Sequence, residues 1–396
     1  MKRIINTLIL IISLIVFAVI FTFAGCSSKS NTTSETTKEE TSVVETTSTQ
    51  SQVNEEDLVP SQGLEFKSNG DGTCKIVGIG ECKDKDIVIP TVSPSGDKVT
   101  LICNNAFENL SGVNSVTLLN YNYKVGEQAF ESGEFASLNV IGGSPVIQRK
   151  AFAYCNKLTS IYFKSCTVDV GEKAFLDCGK NATVTFYDCT STIKNKAFRR
   201  SPLLSLEVKG GKTTIGERAF SLCKDLSNII FSNCEVNASD HAFYDCGNLA
   251  NIEATNSSVV LGDRAFKDSS LNYVSSTGTK FIAGKNAFYD CEDLIGIDLA
   301  SSNVTLYDNA FKRCKDLKEV FICSEMIDDF TIELGDEVFR FCKNLLCVSM
   351  GDIPNTKKLY GVRIFNDCSE DIKIIMDDYP CDVEEFETPC YTDACM

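Results

Sequence analysis

Residues 216–231 read Gly-Glu-Arg-Ala-Phe-Ser-Leu-Cys-Lys-Asp-Leu-Ser-Asn-Ile-Ile-Phe, and this stretch decides the fold because it recurs. Ala-Phe returns with the Phe at 107, 130, 152, 175, 198, 220, 243, 266, 288 and 311, at intervals of 22 or 23 residues. That period is too long for one strand or helix and too short for a domain. Each interval is therefore one supersecondary unit that buries its apolar face only against its neighbours. The sequence predicts a solenoid. Two looser copies, Val338-Phe339 and Ile364-Phe365, stretch the spacing to 28 and 26 residues and bring the count to twelve.

Counted from the Phe, several units carry Cys at the third residue and apolar side chains at the sixth, ninth and eleventh. Leu226, Ile229 and Phe231 match Leu158, Ile161 and Phe163, and also Leu317, Val320 and Ile322. Alternation at nine and eleven is strand periodicity with one face in the core. A second short strand precedes each Phe, as in Val168 and Val170 or Val304 and Leu306. Between it and the Phe stands Gly followed by an acid (Gly126-Glu127, Gly171-Glu172, Gly216-Glu217, Gly262-Asp263), which suits a tight corner opening into a short helical or 3₁₀ turn. The units from Phe130, Phe198 and Phe266 are one residue shorter and lose the Cys. They lie 68 residues apart, which points to duplication of a three-unit block. In the first unit Leu110 holds the Cys position, so the column reads as inward and apolar.

The repeated string apolar-Gly-x-x-Ala-Phe-x-x-Cys-x-x-Leu-x-x-Ile-x-apolar resembles the BspA-like class of leucine-rich repeats over roughly residues 64 to 366. Leu64-Glu65-Phe66, Asp71-Gly72-Thr73, Asp86 to Pro90 and Val99 to Ile102 are similar to the N-terminal cap of such proteins. The resemblance implies a curved, β-rich leucine-rich-repeat solenoid of about twelve repeats, with parallel strands stacked coil on coil. It also implies a protein displayed at the surface of a host-associated microbe, often an adhesin. The sequence departs from the class in nearly lacking Pro after the strand and in its two stretched final repeats.

The first thirty residues address the chain. Lys2 and Arg3 precede an apolar run from Ile4 to Phe23 that closes in Ala24-Gly25-Cys26. Small residues before such a Cys form a lipoprotein cleavage site, after which the Cys26 thiol carries a diacylglyceryl group; an uncleaved spanning helix is the alternative. Residues 27–62 are a Ser/Thr/Glu tract too polar to order themselves. The expected organisation is a signal peptide at 1–25, the lipidated Cys and tether at 26–62, an N-terminal cap at 63–103, the solenoid at 104–366 and an acidic Cys-containing tail at 367–396.

The chain holds 54 acids against 38 Lys and Arg, a formal charge of −16, which disfavours nucleic acid and anionic lipid head groups as partners of the whole protein. Basic or mixed-charge protein partners fit better. Twenty Cys and a single His give no Cys-x-x-Cys and no zinc spacing, so neither metal nor cofactor is expected. The repeat Cys read as packed thiols, with cross-coil disulfides as the alternative. His241 stands just before Ala-Phe, where other units hold Gln128, Lys173, Arg218 and Arg264, a solvent position without a nucleophile to serve. No enzyme is expected.

Binding is then assigned to the outward face of the strand after each Cys. That face should present Tyr162, Tyr187, Glu207, Ile230, Glu253, Tyr273, Asp298, Glu319 and Phe321, with Glu207, Glu253, Asp298 and Glu319 making it negative. The favoured reading is a lipid-anchored surface adhesin that recognises host or neighbouring-cell protein through this face and reaches the membrane through its N-terminal lipid. A structural envelope protein without an external ligand is the alternative.

Overall fold

The computed structural model describes residues 55, 58–301, 303–322, 331–350, 357–376 and 379–381. The leader, Cys26 and most of the tether, together with the end of the acidic tail, lie outside the described residues.

The chain winds into a parallel β-solenoid in which each unit lays one strand on a front ladder and one on a back ladder. On the front, Ser160–Lys164 pairs in parallel with Ser137–Ile141 before it and with Ala182–Ile193 after it. On the back, Thr167–Val170 pairs with Val146–Ile147 and with the second half of Ala182–Ile193. The strands Ala182–Ile193 and Leu203–Ile215 run through both ladders without a break. At each end one ladder closes in a reversed strand, the back ladder at the N-terminal end and the front ladder at the C-terminal end. Glu65–Ser68 runs antiparallel to Thr73–Gly78, and Tyr379–Cys381 runs antiparallel to Lys373–Met376.

Why this sequence coils is visible in its core columns. The twelve Phe rings from Phe107 to Phe365 form one continuous stack, with neighbouring centroids from 4.6 Å (Phe288 to Phe311) to 5.7 Å (Phe311 to Phe339) apart. Coils spaced like strands leave room for parallel rings at van der Waals contact, each pair adding about 0.5–1.5 kcal/mol beyond area burial. Leu158, Ile161 and Phe163, with their counterparts, are fully buried beside the stack, as the alternation predicts.

The corner before and after the Phe is where the structure departs from expectation. Among the described residues there is no α-helix; the corner is a chain of tight turns. Two residues per coil take positive φ, placed symmetrically about the Phe: Arg218 (55°) and Leu222 (63°) flank Phe220, and His241 (55°) and Asp245 (58°) flank Phe243. This breaks helical winding and turns alternate N–H groups outward. The amides of Arg218, Phe220 and Leu222 donate to Asp240, Ala242 and Tyr244 of the next coil, while those of Ala219, Ser221 and Cys223 close turns within the coil. A helix spends its interior N–H groups on itself. Here half are freed to stitch coils together, so the corner becomes a third inter-coil ladder.

Two side-chain columns finish the corner. The Gly column is set by close approach: a Cβ on Gly262 would lie 2.6 Å from the Ser239 carbonyl carbon and 2.7 Å from the Asp240 nitrogen. The residue after it supplies an acceptor, and Asn104, Asn195 and Asp240 Oδ1 accept the N–H of Glu127, Glu217 and Asp263 on the following coil. The Asn and Asp members of this column cap the next coil and not a helix, whereas Glu127, Glu172 and Glu217 pair with Arg149, Lys173 and Arg218.

The Cys column is buried as expected, yet it is not simply apolar. The thiols of Cys155, Cys223, Cys291 and Cys314 donate to the Phe carbonyls of the preceding coils at 3.1, 3.1, 3.2 and 3.3 Å. In two of the short coils Ser201 and Ser269 take this place, donating to Phe175 and Phe243 while accepting the amides of Cys178 and Cys246. Their missing residue brings Leu203 and Leu271 into the buried sixth-position column. Fifteen Cys between Cys74 and Cys368 are free thiols.

Candidate binding face

The front ladder turns every second side chain outward, and its register sorts the nine expected contact residues into three rows. The central row runs Tyr162, Thr185, Glu207, Ile230, Glu253, Ser275, Asp298, Phe321 on eight successive coils. Seven steps of strand spacing put its ends about 34 Å apart. Tyr187 stands in the row on one side, between Lys164 and Lys209. Tyr273 and Glu319 stand in the row on the other side, with Gly296 between them. All nine therefore share one face, but Tyr162 and Phe321 belong to opposite ends of it.

Burial along the rows is uneven. Tyr187 is the most open of the aromatic members at 42% exposure, and Leu204 adds an exposed apolar side chain at 46% near the start of its strand. Glu207 is nearly buried and lies 2.7 Å from Lys209 Nζ. Beside it the Thr185 hydroxyl is buried and has no hydrogen-bond partner among the described residues.

The expectation of a uniformly negative face is corrected by this geometry. Glu207 and Lys209 are two residues apart on one strand and point to the same side, so their charges cancel locally. Lys164 adds a second cation one row from Tyr162. The acidic part is confined to Glu253, Asp298 and Glu319, none of which forms an ion pair among the described residues. Loss of hydration against the surrounding protein raises the Glu253 and Asp298 carboxyls above their ordinary range. The eighth, tenth and twelfth residues of a coil share this face, so Lys164 and Lys209 follow from the same alternation as Tyr187.

Among the described residues no cluster of His, Cys, Asp or Glu could hold a metal ion. His241 sits on the corner with its ring 5.7 Å from Tyr244, away from the front rows.

Comparison with known proteins places this architecture. The family model for the BspA type leucine rich repeat region, built of six copies, matches residues 81–201, 145–272 and 236–371. The chain belongs to the BspA-type leucine-rich repeat family. Solved structures similar to this BspA-type chain include a leucine-rich repeat protein from Bacteroides ovatus, 21% identical, covering 81% of this chain and 99% of that one with a TM-score of 0.44. A leucine rich cell surface protein from Faecalibacterium prausnitzii is 18% identical, covering 74% and 95% with a TM-score of 0.29. The pneumococcal vaccine antigen PcpA is 15% identical, covering 80% and 87% with a TM-score of 0.37. No curated protein matches this BspA-type sequence.

Proposed function

We propose that this protein is a lipid-anchored, cell-surface binding scaffold, an adhesin whose front strand face recognises a protein. Family membership supports surface display, and the apolar run ending in Ala24-Gly25-Cys26 supports the anchor. The observation that carries the binding reading is the alignment of Tyr162, Tyr187, Ile230, Tyr273 and Phe321 with uncompensated acids on three adjacent rows of one outward face. Aromatic side chains are what protein interfaces enrich, and charges beside them set which partner is steered in. The partner is basic or of mixed charge, basic where it meets Glu253, Asp298 and Glu319.

One experiment tests anchor and face together. Host and cell-wall protein is captured on intact protein, and affinities are compared for Tyr162→Ala/Tyr187→Ala/Phe321→Ala and for Lys173→Asn/Arg218→Asn on the corner. The aromatic variant should lose about tenfold or more while the corner variant keeps its affinity. Loss only in the corner variant would remove the binding assignment from the strand face. In the same cells Cys26→Ser should leave the membrane fraction and lose fatty-acid labelling; retention would mean an uncleaved helix.

A further inference from the structure

The corner carries a second charged feature that the strand-face reading leaves unused. Two residues before each Phe the chain adopts positive φ, a conformation that Gly, Asn and Asp tolerate best. Asn stands there in coils one, nine and ten, as Asn105, Asn286 and Asn309. On six successive coils between them the same position is basic: Lys150, Lys173, Lys196, Arg218, His241 and Arg264, with φ between 55° and 60°. Long cationic side chains gain nothing from this backbone, and stacking like charges at strand spacing opposes folding. The backbone therefore does not explain the choice.

Inter-coil hydrogen bonds hold the column in register. The amides of Lys150, Lys196, Arg218, His241 and Arg264 donate to Glu172, Glu217, Asp240, Asp263 and Lys285 of the following coils at 2.9–3.3 Å. Six positions at strand spacing make a ridge about 24 Å long whose pitch is fixed before any ligand arrives. Lys173 pairs with Glu172 and Arg218 with Glu217, but Lys150, Lys196 and Arg264 form no ion pair among the described residues. Of the acids one position earlier, Asp240 and Asp263 each spend an oxygen on an amide of the next coil. The cations of the ridge left unpaired among the described residues are thus Lys150, Lys196 and Arg264; at His241 burial first, then Arg218 and Arg264, lower the imidazole's pKa, while Asp240 and Glu217 pull the other way.

We propose that this ridge is a second binding surface, separate from the strand face, for an extended acidic polysaccharide with one carboxylate per sugar unit. Charge-assisted hydrogen bonds from Lys and Arg suit carboxylates, and Lys150, Lys196 and Arg264 stand on one line at multiples of the coil spacing, as carboxylates do along a linear chain. Nucleic acid fits less well. Duplex DNA carries a charge about every 1.7 Å, far denser than a ridge with one position per coil, and single strands call for stacking rings that this column lacks apart from one imidazole.

The test uses intact protein with polygalacturonate as the probe, fully methyl-esterified polygalacturonate as the uncharged control, and single-stranded DNA as the competing class. Polygalacturonate should bind and weaken as salt rises, and the esterified chain should not bind. Lys150→Asn/Lys196→Asn/Arg264→Asn should weaken binding about tenfold. Asn already occupies this column elsewhere, so an unchanged melting temperature is expected for that variant. The strand-face variant Tyr162→Ala/Tyr187→Ala/Phe321→Ala should bind polygalacturonate unchanged, which keeps this result independent of the adhesin reading. Equal affinity of the ridge variant, equal binding of the esterified chain, or tighter binding of DNA would each overturn the proposal.

Discussion

At the scale of single residues, the Cys column shows how a small polar contact hides inside an apolar pattern. Cys223 is fully buried and donates to the Phe198 carbonyl at 3.1 Å, the task Ser201 and Ser269 perform in shorter coils. Cys223→Ser should therefore cost within about 1 kcal/mol, whereas Cys223→Val removes a donor and overpacks the corner, costing about 2–3 kcal/mol in denaturant unfolding. The reverse order would return the column to simple hydrophobic packing. Burial pushes the Cys246 thiol up to about 12, so these thiols should resist alkylation until the chain unfolds. His241 offers a cleaner electrostatic test because it is the only imidazole. Burial first, then Arg218 and Arg264, lower its pKa below the usual imidazole value. An NMR titration should show this, and Arg218→Gln should move the midpoint up. A depressed imidazole makes a stabilising contribution that is complete above the unfolded pKa and is lost as pH falls through that window, so the midpoint of unfolding should decline slightly on that side. A titration at or above the ordinary value would show that burial and the two arginines do not govern this ring.

At the scale of elements, the two strands of each coil were legible and the corner was not. Period-2 alternation marks Ile229 and Phe231, and their repetition fixes register because neighbouring coils must present the same column. The corner conceals its conformation since its positive-φ sites hold Lys150, Tyr154, Leu222 and Phe341 as readily as Asn105 or Asp245. Without Gly at those sites, nothing local announces a left-handed residue, and the following Ala-Phe looks like the start of a helix. The strand face was legible in position but not in charge: compensation of Glu207 by Lys209 depends on side chains meeting along one strand. The corner acceptors give this scale its prediction. Asp240→Asn should be nearly neutral, because Asn104 and Asn195 accept the same amide, whereas Asp240→Ala should cost about 1 kcal/mol. A loss with Asn as large as that with Ala would mean that the carboxylate charge matters, as in a cation site.

At the scale of the whole molecule, coils contact only their neighbours, so length is an adjustable quantity. Removal of residues 199–266 joins Phe198 to Lys267 between equivalent points of two short coils and deletes one three-coil block. The shortened protein should still unfold in one transition, with a denaturant dependence lower by roughly a fifth. Aggregation of that variant would show that the block is not the unit of construction. The reversed strands at the two ends bear on a different hazard. A parallel stack has two unlike edges, one complementary to the other, so copies left bare would add head to tail and never close, the geometry of a fibre. Glu65–Ser68 and Tyr379–Cys381 run against the direction of winding, and the edge each presents no longer repeats the spacing of the coils behind it. They work as end stops for one ladder at each end, opposing the head-to-tail addition of further copies.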